Sequence, residues 1–188
     1  MLKEIRIHGR GGQGVVTLSE LIASSAYNNK KKVQAFPSFG VERRGAPIES
    51  YVRVSDKDIF RMDQIASPTH LIIVDDTLLE IKNIFRGLEN CKLVLINSQK
   101  GSLTLKKYFS NYKNIKIVAI DAVSLALEIL GKPIVNTAIL GAFCVESKLF
   151  SQESLEKVIA ETFADKGEDI VNKNIKLAGE TIARLNSK

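Results

Sequence analysis

The feature that most constrains the fold is a glycine-rich hexapeptide set between a strand pattern and a helix pattern near the start of the chain. Residues 2–8 alternate apolar and polar side chains, and residues 9–14 read Gly-Arg-Gly-Gly-Gln-Gly. After these glycines, apolar residues recur at helical spacing: Val15, Leu18, Ile22 and Ala26. A strand, a glycine turn and a helix in this order predict a β–α–β unit, and hence an α/β fold.

The rest of the chain continues to alternate strands and helices. Candidate strands are 33–36, 48–54, 71–74, 93–96 and 115–120. The last three are continuous apolar runs, which a parallel sheet buries on both faces, whereas 48–54 alternates like a half-buried strand. Because the elements alternate over one core, we expect a single domain over residues 1–188: a three-layer, mostly parallel, Rossmann-like α/β sheet.

Several helix ends can also be predicted from the sequence. Asp121 is placed to cap a helix that Gly131 terminates, Asn136 to cap the next helix, and Ser151 to cap a third. The last helix carries one apolar face, made of Val171, Ile175, Ala178, Ile182 and Leu185.

Composition excludes several classes of protein. The chain has 188 residues, 45% of them hydrophobic and 26% charged, which is typical of a soluble globular domain. No apolar run approaches the roughly 20 residues of a membrane span, and the N-terminus has no signal-peptide pattern, so we expect a cytoplasmic protein. Cys91 and Cys144 lack partners at metal-ligand spacing and are expected to be buried thiols, with no metal site.

Positive charge is concentrated in the first third of the chain. The net charge is +6, and residues 1–61 hold 11 basic side chains against 6 acidic ones. Such a field favours an anionic ligand or an acidic partner surface. The chain has no zinc finger, ribonucleoprotein motif or long basic helix, so we expect no binding to nucleic acid.

The glycine loop is the main candidate for ligand binding. Gly9, Gly11 and Gly14 match the dinucleotide fingerprint, in which backbone N–H groups and a helix N-terminus approach a phosphate. Gly12 and Gln13 complete the loop, and Arg10 could grip an anion with two hydrogen bonds. The alternative is a tight turn that needs glycine only for its positive φ and binds nothing.

A second loop, from Pro37 to Pro47, leaves the carboxyl end of the second strand and should lie beside the glycine loop. That strand lacks the acidic residue that meets the ribose of NAD. Arg43 and Arg44 follow it instead, so NADP or coenzyme A fits better. Ser38, Phe39 and Gly40 complete the candidate surface, and the alternative is a solvated loop in which Glu42 pairs with an arginine.

Other polar residues are weaker candidates. His8 lies at the end of the first strand, where a hydrogen-bonded edge histidine is the commoner case than a catalyst. Asp75 and Asp76 are typical of a helix cap and its solvated neighbour, and Asn136 and Thr137 also suggest a cap. No arrangement of nucleophile and base can be found, so we expect no catalytic residue in this chain.

Together, these motifs resemble the gamma subunit, or gamma domain, of the 2-oxoacid:ferredoxin oxidoreductases, especially the pyruvate enzyme. The matching stretches are 8–15, 33–37 through Gly40, 42–47, 52–55 and 136–141. Ser38 and Phe39 depart from the acidic residue and tyrosine that are common in relatives, which leaves the 2-oxoacid preference open.

The resemblance implies oxidative decarboxylation of a 2-oxoacid with coenzyme A to acyl-CoA, with ferredoxin as the electron acceptor. Thiamine diphosphate and iron–sulfur clusters would then be bound by thiamine-binding and ferredoxin-like partner subunits. The gamma chain would contribute assembly and coenzyme A access through Gly9–Gly14, Ser38–Gly40, Arg43, Arg44, Asn136 and Thr137. Two alternatives stay open: an NADP-dependent oxidoreductase, and a non-catalytic nucleotide-binding scaffold domain.

Overall fold

The computed structural model describes residues 1–38 and 44–187 as an α/β domain built on one six-stranded sheet. Its strands are β1 Lys3–Arg10, β2 Lys32–Pro37, β3 Pro47–Ser55, β4 His70–Ile73, β5 Leu93–Asn97 and β6 Lys116–Ile120. Its helices are α1 Val15–Asn28, α2 Ser102–Leu105, α3 Ala122–Leu130, α4 Asn136–Ser147, α5 Gln152–Phe163 and α6 Glu168–Asn186. Short 3-10 turns occupy 76–80, 82–85, 88–90, 106–109 and 164–166.

The strand order is β2-β3-β1-β4-β5-β6. Within the described residues, β3 alone runs against the others, so the predicted mostly parallel sheet is confirmed. The opening unit differs from the prediction because β3 lies between β1 and β2. The first strand is also longer than residues 2–8, since Gly9 and Arg10 pair with Ile48 and Pro47 of β3.

The two faces of the sheet are covered by different material. One face packs against α1 and α3–α6 in the larger apolar core, to which β1 contributes Ile5 and Ile7. Within this layer, α4 is buried over most of its length. It packs closely against α6, since a Cβ on Gly141 would lie 2.6 Å from the Ala178 carbonyl oxygen. The other face of β4 and β5 packs against α2 and the 3-10 turns between residues 76 and 109 in a second apolar core.

The prediction that β3 is half-buried is wrong. Tyr51 and Arg53, on the face expected to meet solvent, are 2% and 0% exposed. Residues 61–66 cover this face, and Arg53 donates to the Asp63 carbonyl oxygen at 2.7 Å and to Glu4 Oε1 at 3.0 Å. A buried arginine is tolerated here because most of its N–H groups have acceptors.

Two of the three predicted helix caps are confirmed. Asp121 accepts from the Ser124 N–H and Ser151 from the Ser154 N–H. The predicted Asn136 cap is wrong, because Val135 is the N-cap residue of α4 and Asn136 is already helical. The cap role suggested for Thr137 is wrong as well.

Both cysteines are buried free thiols, as expected, and burial raises the pKa of each to about 11. They lie in the two different cores, on opposite faces of the sheet, so they are not placed to ligate one cluster together. In the part of the chain that the structure describes, no helix has the length and apolar character needed to cross a bilayer.

Candidate ligand-binding site at the glycine loop

The glycine loop connects the end of β1 to the first turn of α1. Gly12 and Gly14 have φ values of 90° and 70°, a left-handed conformation that disfavours side chains, and Gly14 is the N-cap residue of α1. Among the described residues, no hydrogen-bond acceptor meets the backbone N–H groups of Val15, Val16 and Thr17. The turn therefore leaves the positive end of a 14-residue helix open to a ligand.

The loop after β2 returns beside the glycine loop, as predicted from the position of both loops at one edge of the sheet. The Gly11 N–H donates to the Ala46 carbonyl oxygen at 2.9 Å, and the Gly45 N–H donates to the Gly11 carbonyl oxygen at 3.0 Å. Arg44 Cγ lies 3.8 Å from the place that a Cβ on Gly12 would take. The arginine of this turn is therefore adjacent to the open glycine.

The remaining candidates of that loop lie elsewhere. Ser38 donates its N–H to the Glu49 carbonyl oxygen and accepts from Gln64 Nε2 at 3.2 Å, so its described contacts are with β3 and the covering segment. Phe39, Gly40 and Arg43 lie outside the described residues. Their proposed contribution stays a prediction.

Arg10 and Gln13 converge on Asp75, at the end of the neighbouring strand β4. Arg10 Nε lies 3.2 Å and Gln13 Nε2 lies 2.9 Å from Asp75 Oδ2. Gln13 Oε1 also accepts from the Arg10 N–H at 2.7 Å, and the Arg10 guanidinium reaches Thr77 Oγ1 and the Gly45 carbonyl oxygen. The backbone N–H and three of the five guanidinium N–H groups of Arg10 are thus engaged in bracing the glycine loop.

Asp75 is ionised and offsets the charge of Arg10. Burial alone would raise its pKa, but hydrogen bonds from Thr77 and Gln13, with the Arg10 charge, hold that pKa below its ordinary value. Asp75 also caps the 3-10 turn that follows, as predicted. The sequence analysis missed its role as the anchor of the glycine loop. The signal was available, because β1 and β4 are parallel and their carboxyl ends meet at one edge of the sheet.

Of the two candidates at the start of α4, only one reaches the glycine loop. A Cβ on Gly14 would lie 2.4 Å from Asn136 Nδ2, and the buried Oδ1 of Asn136 has no hydrogen-bond partner among the described residues. Thr137 lies away from the loop and donates to Asn174 Oδ1 of α6 at 3.0 Å. Gly14 is therefore required by both its conformation and the closeness of α4.

A cleft of about 580 Å³ continues from the glycine loop along the carboxyl ends of β4, β5 and β6. Gln13, Asp75, Ser98, Lys100 and Asp121 line it. The chain leaves β1 towards β2 on one side, whereas β4–β6 extend on the other. Open α/β sheets bind their ligands at such a switch point.

His8 is buried beside this edge and is neutral. Desolvation first, and the charge of Arg6 second, lower its pKa to about 3. Its Nδ1 lies 3.7 Å from Glu49 Oε1, and its Nε2 has no partner within the described chain, so the expected hydrogen-bonded edge histidine was wrong. Residues 1–38 and 44–187 contain no group of three His, Cys, Asp or Glu side chains arranged to hold a metal ion.

A glycine loop that opens a helix at the switch point of a mostly parallel sheet is the arrangement of Rossmann-like α/β domains. Within that class, the family model described as pyruvate ferredoxin/flavodoxin oxidoreductase matches residues 4–183, and the chain belongs to this family.

Similar proteins agree with that assignment. The chain is 46% identical to pyruvate synthase subunit PorC of Methanothermobacter marburgensis, over 87% of its own length and 88% of that protein. It is 43% identical to the pyruvate/ketoisovalerate oxidoreductases common subunit gamma of Thermococcus kodakarensis, with 94% of each chain covered. The crystal structure of pyruvate oxidoreductase subunit PORC from Thermotoga maritima superposes with a TM-score of 0.83 at 31% identity, covering 97% and 96% of the two chains.

The resemblance to gamma subunits that the two loops suggested is therefore confirmed. The chain is a subunit of an oxidoreductase complex of this family.

Proposed function

We propose that this chain serves as the gamma subunit of a pyruvate-oxidising 2-oxoacid:ferredoxin oxidoreductase and that its glycine-loop edge helps to hold coenzyme A. Thiamine-binding and ferredoxin-like subunits would bind thiamine diphosphate and the iron–sulfur clusters, and the complex would work in the cytoplasm with ferredoxin as acceptor. The placement of the two buried thiols in separate cores agrees with clusters that lie on other subunits.

One observation carries the coenzyme A part of the proposal. The left-handed glycines leave the first turn of α1 open, Gly12 lies beside Arg44, and Gln13 of the same loop lines the cleft. Helix N-termini and arginine side chains both bind phosphate oxygens, and coenzyme A is rich in phosphate. Arg10 would act indirectly, because its bonds to Asp75, Thr77 and Gly45 hold the loop in shape.

The geometry gives less support to an NADP-dependent enzyme. In a dinucleotide site, the strand after the glycine helix lies next to the first strand and presents the residue that meets the ribose. Here β3 separates β2 from β1, and Gln34 of β2 is bonded to Arg53. The pairing of β3 therefore moves the ribose-recognition position away from the glycine loop.

The test is steady-state kinetics on the whole complex carrying Arg43→Ala and Arg44→Ala together. Losing charge-assisted hydrogen bonds to phosphate should raise the KM for coenzyme A about tenfold or more, while the KM for pyruvate stays within about twofold. Lys57→Ala with Arg61→Ala is the matched control, since it removes two exposed positive charges near the amino end of β1.

The subunit content of each preparation should be checked by native mass spectrometry. An intact complex with an unchanged KM for coenzyme A would refute the ligand role. Dissociation of the double variant would instead assign both arginines to a subunit interface.

A further inference from the structure

A second pocket lies on the face of the sheet opposite α1. Along β1, Ile5 and Ile7 face the helical layer, so Arg6 and His8 face the other way. There a cavity of about 270 Å³ is lined mainly by polar groups, including Arg6, Ser38, Gln64, Asn83 and Arg86. The polar lining distinguishes it from the apolar cores on both faces.

Arg6 is a buried cation without an ion-pair partner among the described residues. It is 3% exposed, and its Nη1 and Nη2 donate to the carbonyl oxygens of Ile65, Ala66, Ile84 and Arg86 at 2.7–3.4 Å. Its Nε has no partner in the described chain, and burial lowers its pKa. Glu49 offsets part of this charge and Arg86 opposes it, so the buried guanidinium is only partly compensated by negative charge.

Apart from Glu49, the other polar side chains of the pocket add donors rather than a counter-charge. Within the described residues, the guanidinium of Arg86 and the side-chain amide of Asn83 make no hydrogen bond. One carboxylate borders the pocket, that of Glu49, and its Oε2 accepts from the Tyr51 hydroxyl at 2.7 Å. Donors therefore outnumber available acceptors in this pocket.

The walls of the pocket are fixed by close backbone packing. Gly87 has φ 72°, and a Cβ there would lie 2.0 Å from the Ala66 carbonyl oxygen, so the turn after Arg86 lies directly against the 65–66 segment. Arg6 bonds to both segments at once. A guanidinium fixed in this way by four carbonyl groups is preorganised for a ligand.

From these observations we propose that the pocket between Arg6 and Arg86 binds an oxyanion group, either a phosphate or a carboxylate, of a small anionic ligand. The oxyanion would accept from the Arg86 guanidinium, with Asn83 and Ser38 as further donors, and would lie beside the positive charge of Arg6. This site lies on the opposite face of the sheet from α1, so it is separate from the coenzyme A surface proposed above.

Nuclear magnetic resonance on the full chain tests the proposal directly, because the Arg6 Nε–H group gives its own proton–nitrogen signal. The chain is titrated at constant ionic strength with inorganic phosphate and, in a separate series, with malonate as a dicarboxylate. We expect a saturable shift of the Arg6 Nε–H signal with at least one of the two anions. The signal is assigned by its absence from Arg6→Lys.

Variants then separate a site from general attraction to positive charge. Arg86→Gln, at an exposed position, should weaken binding of the responding anion about tenfold. Lys82→Gln, which removes the same charge from a neighbouring turn outside the pocket, should change it less than about twofold.

A response to phosphate alone or to malonate alone would support the site and identify the ligand's anionic group. No saturable shift with either anion, or equal weakening by Arg86→Gln and Lys82→Gln, would overturn the proposal. Failure here would leave the coenzyme A proposal intact, since that proposal rests on Arg44 and the glycine loop.

Discussion

The two faces of the β1–β3 ribbon are both buried, but by different kinds of contact. Under α1, the ribbon presents Ile5, Ile7, Val52 and Val54, all of them buried in the larger apolar core. The opposite face presents Arg6, His8, Tyr51 and Arg53, which are equally buried. Arg6 and Arg53 lie under irregular residues 61–66, and His8 lies beside the turns at 78–84. One face is held by apolar packing and the other by hydrogen bonds from side chains to carbonyl groups.

This difference shows what a sheet face needs when an irregular segment, rather than a helix, covers it. A helix satisfies its own backbone groups and can cover an apolar surface, whereas an irregular segment brings free carbonyl oxygens that need donors. Arg6 and Arg53 supply those donors to residues 61–66 and 84–86. Buried arginines are therefore what allow this segment to cover a sheet face.

The largest expected effect comes from removing one of these arginines. Arg53→Met should lower the free energy of unfolding by about 3–5 kcal/mol, because Glu4, Gln34 and two carbonyl groups lose their donor in a buried site. Urea unfolding followed by circular dichroism measures it. Arg61→Met, at an exposed arginine bonded to Asp63, should leave the free energy of unfolding nearly unchanged, since exposed ion pairs contribute little. Equal losses in the two variants would show that the buried face contributes no special stability.

An effect of at most comparable size should come from acid. The pKa of His8 is about 3 in the folded chain and should be near 6.5 in the unfolded chain, so the unfolded state takes up the proton first as pH falls. His8 therefore contributes full stability above about pH 6.5, and each unit below that, down to about pH 3, should remove up to about 1.4 kcal/mol.

Urea unfolding between pH 7.5 and 4 measures the acid effect. Buried His70, with a pKa of about 4, adds a loss in the same direction, so the comparison of interest is between the wild type and His8→Gln. The variant should show a shallower pH dependence. Parallel curves would mean that His8 is not buried and neutral in solution.

The smallest expected change in unfolding free energy concerns the glycine loop, at the sheet edge where α4 approaches it. Gly14 and Gly45 both have positive φ, but only Gly14 has a neighbour, Asn136, within reach of an added Cβ. Gly14→Ala should cost about 2–3 kcal/mol in unfolding free energy, and Gly45→Ala about 1 kcal/mol, the conformational part alone. Differential scanning calorimetry would rank them. Equal costs would show that α4 does not press on the glycine loop.

The sequence was a good guide to the helical face and a poor one to the other. Apolar spacing identified α1, the glycines identified its start, and Asp121 and Ser151 marked helix ends, because each of these signals acts within a few residues. Arg53 was taken for a solvent-facing residue, since its acceptors at Glu4 and residues 61–63 become neighbours only in the folded sheet.

The candidate site divides in the same way. The adjacency of the two loops followed from strand direction, and the backbone bonds of Gly11 to Ala46 and Gly45 confirm it. The bracing of Arg10 by Asp75 and the insertion of β3 between β1 and β2 depend on pairings between distant parts of the chain. Local sequence patterns do not indicate such pairings. Strand direction indicates only which loops share an edge of the sheet.

The central claim is that this chain supplies binding surfaces to an oxidoreductase complex and no reacting group of its own. The most direct measurement is pyruvate- and coenzyme A-dependent reduction of a viologen dye by the chain alone, by the remaining subunits, and by the two recombined. We expect no reduction by the chain alone, a weakened rate without it, and recovery on recombination. Dye reduction by the isolated chain, supplied with pyruvate and coenzyme A, would contradict the claim.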